Sequence, residues 1–250
     1  MKTFGLIGRK LSHSFSKQHF ENKFNKEKIV DCEYQLFEIE NINSFTQLIE
    51  NHPTVVGLNV TIPYKHEVIP FMDNMDESAA KVGAVNVIKV ETLEDGNKKF
   101  TGFNTDYLAF KNSLEDWLNN RQIKALVLGT GGAAQAICTA LNELLIPFLS
   151  VSRSSENGLT YEELNSKPEI IKDHHLIINT TPLGMYPNID DLPDIDYSLL
   201  SNNHHLYDLV YNPEITQFMK RGNDRNTKTK NGLEMLYLQA EYSWKIWTNS

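Results

Sequence analysis

A glycine-rich loop in the middle of the chain constrains its fold more than any other feature. The loop Gly129-Thr130-Gly131-Gly132-Ala133-Ala134 follows the apolar run 123–128 and precedes a segment with helical spacing of apolar residues. This GxGxx(G/A) pattern between a strand and a helix is typical of the βαβ unit that binds dinucleotides. Gly129 permits the tight turn, Gly131 lets the backbone approach a pyrophosphate, and Ala134 lets the helix pack close to the strand. We therefore predict that the loop binds phosphate groups at the start of the following helix.

The residues after the next predicted strand indicate which dinucleotide is bound. That strand, 148–151, ends in Ser152-Arg153-Ser154. About 20 residues after the glycine loop, an NAD-specific site usually places an acidic residue that accepts hydrogen bonds from the ribose 2′-hydroxyl. Arginine accepts no hydrogen bond, but its fork of donors suits a 2′-phosphate, so we predict NADP bound by Ser152, Arg153 and Ser154. The alternatives are NAD, because Glu156 follows closely, and an arginine that is merely solvated on a loop.

Apolar periodicity predicts an α/β fold with two domains. The predicted strands are 4–7, 55–60, 84–90, 99–103, 123–128, 148–151, 176–178 and 206–210, and the predicted helices are 15–24, 44–49, 105–118, a segment ending at 145, and 233–247. The turn cluster Glu94-Asp95-Gly96-Asn97 predicts a hairpin in the first third of the chain, where strands and helices otherwise alternate. The later strands are apolar on both faces, as in a helix-covered parallel sheet. We expect a mixed α/β N-terminal domain and a Rossmann-like dinucleotide-binding domain.

Composition excludes several classes of partner. The chain has 24 basic and 32 acidic residues, a formal net charge of −8, and no long basic run, so we expect no nucleic-acid binding. No apolar stretch approaches the ~20 residues that span a bilayer, and the N-terminal apolar run is too short for a signal peptide. We therefore expect a soluble cytoplasmic protein that does not bind membranes.

The cysteines and histidines predict neither a disulfide nor a metal site. Cys32 and Cys138 are more than a hundred positions apart and have no CxxC or Cys/His spacing, which is typical of buried thiols in a reducing compartment. The pairs His174-His175 and His204-His205 lack cysteine or carboxylate companions, and adjacent residues of a strand point apart. We expect no metal.

A second candidate site follows the predicted strand 55–60. Asn59-Val60-Thr61-Ile62-Pro63-Tyr64-Lys65 runs off its end, and ligands of α/β sheets bind beyond the carboxyl ends of strands. Pro63 ends the ladder and fixes a turn that directs Lys65 toward the crevice. Asp106, at the start of the predicted helix 105–118, can reach the same space. A Lys/Asp pair in a cleft is a candidate for proton transfer, although spacing alone favours a surface ion pair over chemistry.

Seven motifs in their order along the chain resemble those of shikimate dehydrogenase over essentially the whole length. They are Ser12-His13-Ser14, Asn59 to Lys65, Gly83-Ala84-Val85-Asn86, Asn104-Thr105-Asp106, the glycine loop, Asn179-Thr180-Thr181-Pro182, and Gly232 with Met235 and Gln239. The resemblance implies NADP-dependent interconversion of 3-dehydroshikimate and shikimate on the pathway to aromatic amino acids. It also implies a substrate domain of residues 1–104 plus 233–250 and an NADP-binding domain of residues 105–232.

The resemblance also implies a role for individual residues. The substrate residues would be Ser12 and Ser14 on the carboxylate, assisted by Tyr211, and Thr61, Lys65, Asn86, Asp106 and Gln239 on the ring hydroxyls. Glu77, Leu209, Gly232 and Met235 would lie beside the nicotinamide. Lys65 would be the catalytic acid, since a lysine is cationic at neutral pH and can protonate a developing alkoxide, and Asp106 would orient it. Taken alone, Ser14 before a helical stretch is typical of a helix N-cap.

Some alternatives stay open at this point. The chain has Gly232-Leu233-Glu234-Met235-Leu236 where the family usually has Gly-x-Gly-Met-Leu, although Met235 and Gln239 still share a helical face. A quinate/shikimate dehydrogenase of relaxed specificity and a non-catalytic NADP-binding sensor are the alternative functions. We expect a monomer or a homodimer.

Overall fold

The computed structural model describes residues 1–11, 14–118 and 122–249, except for the side chain of Asn157. The chain divides into two compact units, Met1–Thr105 with Gln239–Ser250, and Asp106–Leu238. The resemblance implies a boundary after residue 232, and in the structure Glu234, just beyond it, contacts Ser113 and Lys230 of the second unit.

The first unit contains a mixed six-stranded sheet. In chain order its elements are β1 (Lys2–Gly8), α1 (Phe15–Glu27), β2 (Cys32–Glu38), α2 (Phe45–Asn51), β3 (Val55–Val60), α3 (Tyr64–Glu67), β4 (Asn74–Met75), α4 (Glu77–Val82), β5 (Val87–Thr92) and β6 (Lys98–Phe103), with 3-10 turns at Ile42–Ser44 and Ile69–Phe71. The strand order is β2-β1-β3-β5-β6-β4. β1 pairs in parallel with β2 and β3, and β5 pairs antiparallel with β3 and β6, which confirms the predicted hairpin.

The second unit contains a parallel six-stranded sheet. Its elements, with the helices that connect it to the first unit, are α5 (Thr105–Leu118), β7 (Ala125–Leu128), α6 (Gly132–Glu143), β8 (Phe148–Ser152), β9 (Leu159–Thr160), α7 (Tyr161–Ser166), α8 (Pro168–Asp173), β10 (Leu176–Asn179), β11 (His205–Asp208), α9 (Gln217–Asn223), β12 (Lys228–Asn231) and α10 (Leu233–Thr248), with 3-10 turns at Ser155–Asn157 and Tyr197–Leu199. In the strand order β12-β11-β10-β7-β8-β9, the chain adds β8 and β9 on one side of β7 and then returns to add β10, β11 and β12 on the other side. This reversal is the topological switch point at which doubly wound sheets bind ligands.

An aromatic cluster packs the end of α10 against the sheet of the first unit. The ring centroid of Trp247 lies 5.0 Å from that of Phe4 and 5.4 Å from that of Phe20. Its indole Nε1 donates to the carbonyl of Ile88 at 3.1 Å. A Cβ on Gly57 would overlap the Trp247 ring, so glycine at this strand position makes room for the indole. The cluster fixes α10 on the sheet, and α10 carries a predicted substrate residue.

Three predicted strands are shorter in the structure, and two of them have a clear local reason. Residues 84–86 precede β5, because the N–H of Val85 donates to the carbonyl of Lys65 at 2.8 Å instead of joining the ladder. β11 ends at Asp208 rather than at residue 210, because the N–H of Val210 donates to the Asp208 carboxylate at 3.0 Å. Among the residues that the structure describes, no helix is long and apolar enough to cross a membrane.

Candidate substrate and cofactor sites

The start of α1 places one of the two predicted carboxylate-binding serines. Ser14 has extended backbone and caps α1, since its Oγ accepts from the N–H of Lys17 at 3.4 Å. This is the helix-cap interpretation of Ser14, and a hydroxyl at the N-terminus of a 13-residue helix also lies where the helix dipole favours an anion. Ser12 lies outside the described residues.

The end of β3 places Thr61 and Lys65. The N–H of Thr61 donates to the carbonyl of Ile7 at 2.9 Å, which holds Thr61 at the carboxyl end of two parallel strands. A Cβ on Gly8 would lie 2.7 Å from the Thr61 methyl group, so the small residue at the end of β1 permits this approach. Lys65 lies in the one-turn helix α3, not in a simple turn after Pro63, and its side chain is half-buried.

Asn86 connects the hairpin of the first unit to the start of α5. Its Oδ1 accepts from the N–H of Thr105 at 2.7 Å, and its Nδ2 donates to Thr105 Oγ1 at 3.0 Å. The side chain is only 3% exposed, and it satisfies a backbone donor that a helix N-terminus leaves unpaired. Asp106, the next residue along α5, is half-buried in the first turn of that helix.

Gln239 belongs to a buried polar network that sequence reasoning missed. Its backbone carbonyl accepts from Ser243 Oγ at 2.8 Å, and its side chain is largely buried. Ser243 Oγ in turn accepts from Asn59 Nδ2 at 2.9 Å, and Asn59 Oδ1 accepts from Tyr34 Oη at 2.8 Å. The sequence signal was the period of two that places Asn59 on the face of Thr61, but Asn59 was not among the predicted site residues.

The glycine loop has the geometry of a phosphate-binding turn. Gly129 has φ +109°, and a Cβ there would lie 2.6 Å from Thr180 Oγ1, so both conformation and space require glycine. Gly131 is the N-cap of α6 and offers no side chain to its first N–H groups. A Cβ built on Gly131 would meet no atom within 4 Å, so the space in front of the helix start is open. Thr130, Gly132 and Ala133 complete the loop at the carboxyl end of β7.

The residues predicted at the 2′-phosphate follow β8. Ser152 ends that strand and is buried, and its Oγ donates to the carbonyl of Ser154 while accepting from the Ser154 N–H. This turn leaves Arg153 and Ser154 exposed directly beyond the carboxyl end of β8. β8 neighbours β7, so the arginine and the glycine loop emerge at the same edge of the sheet.

A buried aspartate organises the turn that carries Leu209 and Tyr211. Asp208 is fully buried, and its carboxylate accepts from Asn179 Nδ2 at 2.9 Å, from the Val210 N–H at 3.0 Å and from Thr216 Oγ1 at 2.6 Å. Burial raises the pKa of Asp208 to about 6, although these three donors oppose the rise. Burial also raises the pKa of the half-buried Tyr211.

Gly232 and Met235 lie beside this turn in the second unit. A Cβ on Gly232 would overlap the carbonyl oxygen of Leu209, so glycine permits β12 and the 209–211 turn to approach. Met235 is almost fully buried in the first turn of α10. Glu234, which departs from the family pattern, forms an ion pair with Lys230 and accepts from Ser113 Oγ at 3.1 Å. These contacts anchor the start of α10 within the second unit.

Two other predictions concern Glu77 and the histidine pairs. Glu77 lies in the first unit on α4, where its exposed carboxylate pairs with Lys81 at 2.9 Å. His204 accepts from the Ser201 N–H at Nδ1, at 3.0 Å, and its Nε2 lies 3.0 Å from the carbonyl of Ile171, so both ring nitrogens have protein partners. Within the described ranges, no three His, Cys, Asp or Glu side chains are placed to hold a metal ion.

The second unit fits a dinucleotide on two structural observations. The open space at Gly131 lies at the uncapped start of α6, and the switch point lies between β7 and β10. Such a site holds a pyrophosphate on backbone N–H groups and the positive end of the helix. The arrangement can therefore bind a phosphorylated dinucleotide.

The chain is similar to known proteins over nearly its whole length. A family model described as the shikimate dehydrogenase substrate binding domain matches residues 6–88. The NADP(+) shikimate dehydrogenase of Clostridium beijerinckii is 40% identical, with 99% of this chain and 92% of that protein covered. The crystal structure of shikimate dehydrogenase 1 from Peptoclostridium difficile has a TM-score of 0.84 and 36% identity, with 100% and 92% covered. A shikimate dehydrogenase crystallised in complex with NADP+ has a TM-score of 0.83 and 33% identity, with 100% and 91% covered.

Proposed function

Because the chain belongs to the shikimate dehydrogenase family, we propose that it catalyses the reversible NADPH-dependent reduction of 3-dehydroshikimate to shikimate. It is an oxidoreductase that acts on a CH–OH group, and it serves the biosynthesis of chorismate and the aromatic amino acids. Its cofactor is NADP.

The observation that carries the proposal is the grouping of Lys65 with Asn86 in the first unit. The Lys65 carbonyl accepts from Val85, the neighbour of Asn86, and Asn86 in turn binds the backbone of Thr105. Two short hydrogen bonds thus fix the backbone of Lys65 beside Val85 and the Asn86 side chain on Thr105, the residue before Asp106, and this supports the proposal. A reacting hydroxyl needs such a fixed set of donors and acceptors.

Each residue has a defined task in this proposal. Lys65 donates a proton to the oxygen of the ketone as it becomes an alkoxide, and it accepts that proton in the reverse direction. Asp106 orients the ammonium group of Lys65 and favours its cationic form. Bound NADPH supplies the hydride. Thr61, Asn86 and Gln239 bind the ring hydroxyls.

The remaining residues bind the carboxylate and the cofactor. Ser12, Ser14 and Tyr211 bind the substrate carboxylate through their hydroxyl groups. The backbone N–H groups from Gly129 to Ala133 bind the pyrophosphate, and Ser152, Arg153 and Ser154 bind the 2′-phosphate. Glu77, Leu209, Gly232 and Met235 border the nicotinamide.

Substitution of Lys65 tests the proposal. General acid–base assistance is worth ~10² to 10⁴-fold, so Lys65→Ala should lower kcat by about that factor while NADP titration by fluorescence gives an unchanged Kd. Asp106→Asn should also slow turnover, and the double variant should be less impaired than the product of the single effects, because both residues act on one hydroxyl. Lys98→Ala is the matched control, since Lys98 binds Pro53 and Thr92 on the surface of the same unit.

The same preparation separates the alternative functions. A Lys65→Ala enzyme that turns over within threefold of wild type would remove Lys65 from the mechanism. NADP binding without oxidation of shikimate or quinate by the wild type would favour the sensor, and equal oxidation of both would favour relaxed specificity. We propose a cytoplasmic location. The proposed oligomeric state is a monomer or a homodimer, which light scattering measures.

A further inference from the structure

We propose that Asn59 is a positioning residue of the substrate site and that it acts through the Asn59 relay, the buried chain Tyr34–Asn59–Ser243 that ends on the carbonyl of Gln239. The inference rests on the proposed function, because it concerns residues that bind the substrate there. The geometry of the first unit carries it, and every member of the relay lies in that unit.

The relay is a continuous series of short hydrogen bonds. Tyr34 Oη donates to Asn59 Oδ1 at 2.8 Å, Asn59 Nδ2 donates to Ser243 Oγ at 2.9 Å, and Ser243 Oγ donates to the carbonyl of Gln239 at 2.8 Å. The second Nδ2 hydrogen of Asn59 points to the carbonyl of Asn86, at 3.5 Å. Sequence separations of 25 and 184 residues mean that the relay joins β2, β3 and α10.

The chemistry of the end groups fixes the direction of the relay. The Gln239 carbonyl can only accept, so the single hydrogen of the Ser243 hydroxyl is committed to it. Ser243 must then accept from Asn59. This places the Asn59 Nδ2 group against Ser243 and the Asn59 Oδ1 atom against Tyr34. An ionised aspartate cannot donate to Ser243, and a leucine can neither donate nor accept. The position therefore requires the donor and the acceptor of an asparagine side chain as well as its size.

Burial makes each link costly to break. Asn59 is 5% exposed and Ser243 is fully buried, while the Tyr34 ring stacks on Phe20 with centroids 4.7 Å apart. Burial raises the pKa of Tyr34, and a hydrogen bond with Ser16 partly opposes the rise. A polar atom left unpaired here would lose its partner without gaining water, at a cost of ~1 to 3 kcal/mol.

The relay contacts the segments that carry four predicted substrate residues of the first unit, Ser14, Thr61, Asn86 and Gln239, at or close to each of them. Ser16, which bonds to Tyr34, is two residues after Ser14, and Asn59 is two residues before Thr61. The relay ends on the backbone of Gln239 itself. The Asn86 carbonyl, which Asn59 approaches, also accepts from the Val60 N–H at 2.8 Å. A relay of purely structural value would not need to meet the site at so many points.

The test measures shikimate binding by isothermal titration calorimetry beside the free energy of unfolding in urea. Ser243→Ala and Tyr34→Phe each remove one hydroxyl with little change in volume, and Asn59→Leu removes the centre. We expect shikimate Kd to rise about three- to tenfold in the first two variants and further in the third, with NADP Kd unchanged within twofold. Ser243→Ala and Tyr34→Phe should be non-additive, because both act through Asn59.

Thr3→Val is the matched control. Thr3 is equally buried in the same unit, and its Oγ1 bonds to Glu33 and Thr54 at the amino-terminal end of β1, away from the predicted site residues. This variant should lose stability and keep the wild-type shikimate Kd. Shikimate Kd within twofold of wild type in Ser243→Ala and Tyr34→Phe, with stability lost as in Thr3→Val, would reduce the relay to a structural role and overturn the proposal.

The experiment also separates this inference from the proposed function. Wild-type protein that binds shikimate and does not oxidise it with NADP would refute the function, while the Kd series would still decide the relay. Wild-type protein that does not bind shikimate would overturn both. If Asn59→Leu fails to fold, the two hydroxyl deletions still decide the result.

Discussion

Asp208 makes the stability of the second unit depend on pH in a direction opposite to that of an ion-paired carboxylate. Its pKa is raised from 3.8 to about 6 in the folded protein because the carboxylate is buried. Between about pH 4 and pH 6, the Asp208 carboxyl is therefore protonated in the folded protein and ionised in the unfolded chain. The stabilisation linked to this proton is complete below the unfolded pKa and disappears as pH rises through about 6.

The magnitude follows from the two pKa values. With a folded pKa of about 6 and an unfolded pKa of about 3.9, lowering the pH from about 7 to about 5 should stabilise the protein by ~1.3 kcal/mol through this group alone. Asp208→Asn keeps the shape of the side chain and stays uncharged. Subtracting its unfolding free energy from that of wild type cancels the contributions of the other titrating groups.

The measurement is equilibrium urea unfolding of wild type and Asp208→Asn at several pH values. Trp117 reports on the second unit, because its ring lies 5.9 Å from that of Tyr207, the neighbour of Asp208. Placing both proteins in a Trp244→Phe/Trp247→Phe background leaves Trp117 as the sole tryptophan of the three. A wild-type minus variant difference that is flat between pH 7 and pH 5, or that falls toward pH 5, would refute the reasoning.

Three further substitutions test the candidate sites. Arg153→Ala should remove most of an at least tenfold preference for NADP over NAD in kcat/KM, because a charge-assisted hydrogen bond contributes ~1.5 to 3 kcal/mol; an unchanged preference in parallel assays would exclude Arg153 from the 2′-phosphate. Ser14→Ala should chiefly raise KM for shikimate, since carboxylate binding serves ground and transition states alike; loss of kcat at unchanged KM would contradict this assignment. Gly232→Ala should weaken NADP binding in fluorescence titration, because the new Cβ displaces the Leu209 carbonyl, and wild-type affinity would show that this turn does not border the cofactor.

The sequence predicts the second sheet well because its strands are short, apolar and regularly spaced. β7, β8, β10 and β11 begin or end within two residues of their predicted bounds, and the glycine loop lies between β7 and α6 as expected. β12 has the sequence Lys-Thr-Lys-Asn and was not predicted, because an edge strand with polar side chains carries no apolar pattern. β2, at an edge of the first sheet, was not predicted either, although Cys32, Tyr34 and Leu36 recur with the period of two that is typical of a strand.

Site residues were harder to predict than the fold, because a motif does not tell whether a side chain contacts a ligand or holds another residue. Ser14 both caps α1 and lies where an anion is favoured, so the two interpretations of the sequence describe the same geometry. The departure at Glu234 also becomes intelligible only in the structure, where Lys230 and Ser113 accommodate its carboxylate. Lys230 lies only four residues before Glu234, but Ser113 could not be identified from spacing, since it comes from α5, 121 residues earlier.

Asn59 and Asp208 show where this ambiguity comes from. Each is a polar residue at the carboxyl end of a strand, where sequence reasoning expects ligand contacts. Each is instead at most 5% exposed and spends hydrogen bonds on backbone or side chains of neighbouring segments. A strand end leaves backbone donors unpaired wherever the chain turns toward a site, and those donors need buried acceptors before any ligand binds. The polar residues of such a motif therefore divide into a set that binds and a set that holds the first in place, and only contacts between distant segments distinguish the two.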